Sequence, residues 1–155
     1  MLSGKNIIGF ETSSEGTVGI QAINPATGEP LGPLFFKATQ AELEKAVSKA
    51  SKAFKIYRIF SGNKKAEFLE AIASEIESLG DKLLERYVAE SGLPLGRAQG
   101  ERGRTLGQLR LFADYIKEGS WVNAIIDTAQ PDRQPLPKPD IRAMERPLGP
   151  VGVFG

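Results

Sequence analysis

The chain has 155 residues, 41% of them hydrophobic and 25% charged, with twenty Lys and Arg against nineteen Asp and Glu. That size and balance fit one folded, soluble unit burying roughly 70% of its unfolded surface, and a net charge of +1 offers no global field to draw in nucleic acid or an anionic membrane. Cys and His are both absent, which removes thiol nucleophiles, Ser-His and Cys-His pairs, disulfides and the usual zinc ligands.

Neither an apolar signal core nor a run of about 18 apolar residues occurs, so a cytoplasmic location is expected. Residues 5–24, KNIIGFETSSEGTVGIQAIN, hold two β-prone runs separated by the polar stretch Thr12 to Gly16 and read as one hairpin. Asn24 to Pro30 is punctuated by Pro and Gly and reads as a surface loop before Leu34-Phe35-Phe36.

Thr39-Gln40-Ala41-Glu42 has the spacing of a capping box and predicts a helix over about 40–59. Its Leu43, Ala46, Val47, Ala50, Phe54 and Tyr57 recur at steps of three and four and read as a core-facing stripe. Ser61 caps a second predicted helix, with Phe68, Leu69, Ile72, Ala73, Ile76 and Leu79 as its stripe and Gly80 as its stop. Asp81 is the expected cap of a third, which carries Leu83, Leu84, Tyr87 and Val88 and ends at Gly92.

Gly92-Leu93-Pro94 then ends one helix and starts another running to about Glu118. Trp121 to Asp127 is a strand candidate. The prolines at 131, 135, 137 and 139 predict an extended connector, after which Asp140 to Glu145 can return antiparallel.

The fourth helix carries the most chemistry. Gly96, Gly100, Gly103 and Gly107 fall within about 60° of one another at 100° per residue. Mid-helix glycines cost about 1 kcal/mol each relative to Ala, so a close partner is implied, either a packed helix or a ligand. Arg97, Glu101, Arg104 and Gln108 form a polar stripe beside that groove. It can be a solvated ladder of ion pairs, or a receptor for a carboxylate through a bidentate guanidinium. A third face carries Ala98, Thr105, Leu109, Ala113 and Ile116. The helix arginines scatter around the axis without interleaved aromatics, which argues against nucleic acid. ERPLGPVGVFG, at 145–155, is a β-type run whose glycines do not match G-x-G-x-x-G, so as a dinucleotide fingerprint it is weak.

Taken together and in order, NPATGEPL, the A-x-x-E capped helix running into KAFKIYRIFSGNKKAEFLEAIASEIESLGDKLLE, ESGLP and ERPLGPVGVFG resemble the N-terminal part of the aldehyde dehydrogenase superfamily. The resemblance covers about residues 6–155. ESGLPLGRAQGERGRTLGQLRLFADYIKEGSW and PDRQPLPKPDIRAMERPLGPVGVFG are most similar to the subgroup of 2,5-dioxovalerate (α-ketoglutaric semialdehyde) dehydrogenases.

What the resemblance implies is an α/β fold and an enzyme about three times this length. Such an enzyme oxidises a small-molecule aldehyde with NAD or NADP through a Cys thiolate and a Glu-activated water, and works as a homodimer or homotetramer. This chain then holds residues 1–38 as a hairpin and loop, 39–118 as a helical segment, 119–147 as an oligomerisation-type hairpin, and 148–155 as the first strand of the cofactor domain. No catalytic, cofactor-binding or metal residue is expected within it, and it is expected to be inactive alone. The same resemblance places Arg104 at a tunnel-lining position suited to a distal carboxylate such as that of 2,5-dioxopentanoate, with Gln108 one turn later. The rival reading is a non-catalytic helical module that binds a partner or holds an assembly together.

Overall fold

The computed structural model describes residues 2–154; Met1 and Gly155 lie outside it. Its order is β1 (Asn6–Ile8), β2 (Glu11–Ser13), β3 (Gly19–Ile23), β4 (Pro30–Phe36), α1 (Gln40–Tyr57), α2 (Gly62–Ser78), α3 (Gly80–Ser91), α4 (Leu95–Glu118), a 3₁₀ turn at Ser120–Val122, β5 (Ile125–Asp127) and β6 (Ile141–Ala143). The strands form three separate antiparallel ribbons, β1–β2, β3–β4 and β5–β6.

The single hairpin expected over 5–24 is instead two. β1 turns into β2 at Gly9-Phe10, with Asn6 opposite Ser13 and Ile8 opposite Glu11, and Gly9 supplies the positive φ of 67° that so tight a turn requires. β3 pairs onward with β4, so the surface loop expected from residue 24 is the exposed turn of a second hairpin. Asn24 closes it: its carbonyl accepts from Gly28 N at 2.8 Å and its side-chain oxygen from Ala26 N at 2.9 Å. β4 bulges opposite Gln21, where Gly32, Pro33 and Leu34 intervene between the rungs Ala22–Leu31 and Ile20–Phe35. Pro33 has no amide to give a ladder, and a bulge is where a strand tolerates that.

Thr39 caps α1 as its sequence predicts. Glu42 N donates to the Thr39 hydroxyl at 3.2 Å and the Glu42 carboxylate accepts from Thr39 N at 2.8 Å. Glu42 also accepts from Glu15 N at 3.3 Å, so the cap doubles as a pin between the β1–β2 ribbon and α1. The Ser13 hydroxyl beside it and then the Thr39 amide hold the Glu42 carboxyl down at about 2, against a smaller opposing push from burial. The side chain is 2% exposed, covered by the ribbon rather than set in an apolar core. Lys45 and Lys49 add ion pairs to Glu11 at 2.8 and 3.2 Å.

Ser61 caps α2 by accepting from Lys64 N at 3.2 Å. Asp81, by contrast, does not cap α3. Only Leu79 separates α3 from α2, standing at the N-cap with no side-chain bond, and Asp81 sits in the first turn, where its charge meets the helix dipole. The packed centre is small: Ile8, Ala66, Ala73, Leu84, Ala98, Leu106 and Ala113 are buried. α2 and α4 supply most of it and run antiparallel, Gly62 lying against Ile116 at one end and the Gly80 carbonyl accepting from Arg102 at 3.2 Å at the other.

Further expectations change. The α1 stripe is not core here, since Leu43 and Val47 are 53% and 55% exposed, and Phe68 on α2 and Leu79 just after it are equally open. Periodicity marks a face that wants a partner, and no described element covers these. Trp121 and Val122 belong to the 3₁₀ turn, so the strand begins later, at Ile125. The β5–β6 pair is antiparallel as expected, but the Pro-rich connector folds back on itself, with Gln130 and Lys138 exchanging backbone bonds of 2.9 and 3.0 Å. Residues 148–154 form no strand; Val153 and Phe154 are 90% and 97% exposed, because no neighbouring strand among the described residues offers a ladder.

Candidate functional site

The site of interest is built on α4. Gly92 ends α3 in the left-handed conformation, φ 69°, with its amide donating to the Val88 carbonyl at 2.9 Å. Pro94 then starts α4 from an extended conformation that suits its fixed φ. The helix runs 24 residues and stops at Gly119, φ 88°.

Its buried face is Ala98, Leu106 and Ala113 against α2, close to the apolar face read from the sequence, with Leu106 rather than Thr105 turned inward. Arg102 and Arg110 flank that contact and serve structure. Arg102 donates to the Gly80 carbonyl, while Arg110 pairs with Glu77 at 2.7 Å and lies 3.9 Å from Glu70.

The glycine face is open. A methyl group at Gly96, Gly100, Gly103 or Gly107 would meet no heavy atom within 4 Å. Close helix packing, one of the two readings of that stripe, is therefore not what these glycines do among the described residues.

The polar stripe beside them divides. Arg97 and Glu101 close an ion pair at 2.5 Å, exposed enough to contribute only about 0.3–0.5 kcal/mol. Arg104 and Gln108, one turn apart, are exposed and make no hydrogen bond or ion pair among the described residues. The expected ladder thus forms in its first half only. The second half leaves a guanidinium and a carboxamide facing out beside backbone that no side chain shields, an arrangement able to receive a carboxylate in a bidentate manner.

No group of three or more carboxylates gathers to hold a metal among the described residues. A dinucleotide has no cradle in them either. Gly149 to Phe154 is almost wholly exposed and no described helix follows it, so backbone amides and a helix N-terminus do not converge on a phosphate position.

A second concavity escaped the sequence reading. The C-terminal ends of α1 and α4 and the 3₁₀ turn enclose a groove of about 320 Å³, walled by Phe54, Tyr57, Phe112, Tyr115, Trp121 and Pro147. Its sequence signal was present in KAVSKASKAFKIYRIFSGNKKA, residues 45–66, where seven cations and three aromatic residues stand without one acid.

Three comparisons bear on this chain. A model of the aldehyde dehydrogenase family matches residues 10–155. The chain is 50% identical over 155 residues to alpha-ketoglutaric semialdehyde dehydrogenase 2 of Azospirillum brasilense, and 44% identical over 153 residues to the alpha-ketoglutaric semialdehyde dehydrogenase of Acinetobacter baylyi. Both matches cover 99% of this chain, and 30% and 29% of those proteins, so the chain spans about a third of the length of these curated relatives. Among solved structures, succinate-semialdehyde dehydrogenase from Burkholderia pseudomallei superposes with a TM-score of 0.73 at 26% identity, over 84% of this chain and 26% of that one.

Proposed function

The chain belongs to the aldehyde dehydrogenase family, and on that premise we propose that the protein serves the NAD- or NADP-dependent oxidation of an acidic semialdehyde, 2,5-dioxopentanoate, to 2-oxoglutarate. In this reading Arg104 receives the distal carboxylate and Gln108 assists from the next turn. The observation that carries it is the unpaired Arg104 guanidinium on an open helix face, in a chain whose two relatives above are named for α-ketoglutaric semialdehyde.

The division of labour follows from composition. These residues contain no Cys, so they contribute binding and orientation rather than the nucleophile. The residues described here do not fit a nicotinamide cofactor, so none of their steps runs through one; bound elsewhere in the enzyme, it would supply the hydride acceptor. Arg104 acts by fixing one end of a short, flexible substrate, which limits the positions its aldehyde can take. The exposed Ile125, Ile126 and Ile141 of the β5–β6 ribbon support an assembly role for 119–147 in a homodimer or homotetramer.

The test uses an enzyme of the relatives' full length. Arg104→Leu is expected to raise KM for 2,5-dioxopentanoate about tenfold or more, the scale of a charge-assisted pair at ~1.5–3 kcal/mol, while leaving an uncharged aldehyde of equal length nearly unaffected. Equal effects on both substrates remove the carboxylate assignment. The mass of the native protein separates enzyme from stand-alone module: 16.8 kDa supports the module, and roughly three times that supports the enzyme.

A further inference from the structure

Residues 45–66 concentrate seven cations in a chain whose net charge is only +1. Lys45 and Lys49 share the Glu11 carboxylate, but Lys52, Lys55, Arg58, Lys64 and Lys65 form no ion pair among the described residues. Three of these five lie over aromatic rings instead. The Arg58 guanidinium is 5.5 Å from the Phe54 centroid, Lys64 Nζ 4.3 Å from that of Phe60, and Lys65 Nζ 5.8 Å from that of Tyr57.

Arg58 and Lys65 also line the aromatic groove, and none of its lining side chains is acidic. The surface therefore offers apolar walls and an uncompensated positive rim side by side. Its complement is a molecule with an apolar body and a negative head. At about 320 Å³ the groove sits at the small end of the ~300–1,000 Å³ usual for small-molecule sites, and protein partners generally need far more area than it provides. Hydrogen-bonding groups for reading a nucleobase edge are scarce on its walls, which favours an aliphatic or aryl body.

We propose that this groove binds a small amphiphilic carboxylate, its apolar part between Phe54, Phe112 and Trp121 and its carboxylate on Arg58 and Lys65. The site is separate from Arg104, which does not line it, and stands whether or not the substrate assignment holds.

Trp121 is the sole tryptophan, so its emission reports on the groove directly. Titration of the 155-residue protein with decanoate is expected to shift that emission saturably, with an affinity about tenfold or more above that for 1-decanol. Arg58→Gln with Lys65→Gln should abolish that preference and leave decanol binding unchanged, which a merely unfolded variant could not do. Phe112→Ala should weaken both ligands. Equal affinities for acid and alcohol, a preference that survives in the double variant, or an emission shift that follows protein concentration rather than ligand, as filling by a second copy would give, each overturns the proposal.

Discussion

α4 carries small residues on two sides, and the two sides behave oppositely. On the inner side Ala98 and Ala113 are buried with Ala66 and Ala73 of α2, and at the end of that seam a methyl on Gly62 would come within 2.6 Å of the Ile116 carbonyl oxygen. There, smallness is spent on close approach between two backbones. On the outer side four glycines face nothing within 4 Å, so they weaken the helix by about 1 kcal/mol each relative to Ala without gaining a contact in return. Small residues at helical spacing thus have two meanings, and only the neighbour distinguishes them.

The strongest way to break that contrast is Gly62→Ala. It should lower stability by about 1–3 kcal/mol, because the obstacle is backbone and cannot rotate away, and a urea midpoint measures it. An unchanged midpoint would mean the α2–α4 seam is looser than described. Next in size, Gly100→Ala with Gly103→Ala should raise stability by about 1 kcal/mol per site in the 155-residue protein. In the full-length enzyme the same pair should impair turnover if the open face admits substrate. Lower stability in the short protein would show that something covers this face.

The last contrast concerns α1, which keeps its place with little apolar burial. Glu42 is depressed to about 2 from 4.5, so its contribution is complete above pH 4.5 and is lost as pH falls toward 2. Urea midpoints followed from about pH 7 into that window should fall for the wild type and less steeply for Glu42→Gln. Part of the slope remains in the variant, since Glu11, lowered by its bonds to Lys45 and Lys49, and Glu118, lowered by Ser120, titrate in the same direction. Identical slopes would remove Glu42 as the pin between ribbon and helix.

Legibility in the sequence tracked the range of the forces involved. Thr39 with Glu42, Ser61, and Gly92 with Pro94 were readable because a cap is settled within four residues. The four helices and the β5–β6 pairing were readable from period and punctuation. The first ribbon was misplaced because Gly9 and Gly16 are equally permissive in a sequence, and only the pairing of Asn6 with Ser13 selects between them. The stripe on α1 was visible while its exposure was not, since periodicity reports one side of an interface. At the candidate site Arg104 and Gln108 were legible as a pair on one face. That Arg97 is satisfied by Glu101 while Arg104 is not depends on rotamers the pattern does not carry. The groove needed residues 54 and 121 to meet, a separation no local pattern spans.

The bulge in β4 has a consequence for colloidal behaviour. A two-stranded ribbon leaves its edges largely unpaired, here apart from the Phe36 amide that donates to the Gly4 carbonyl at 3.1 Å, and such edges recruit further strands from other molecules. In β4 two of seven residues, Pro30 and Pro33, have no amide hydrogen, and the bulge breaks the straight register a new strand would need. That edge is a poor template for growth, so a chain rich in exposed apolar side chains still denies aggregates one of their easiest starting points.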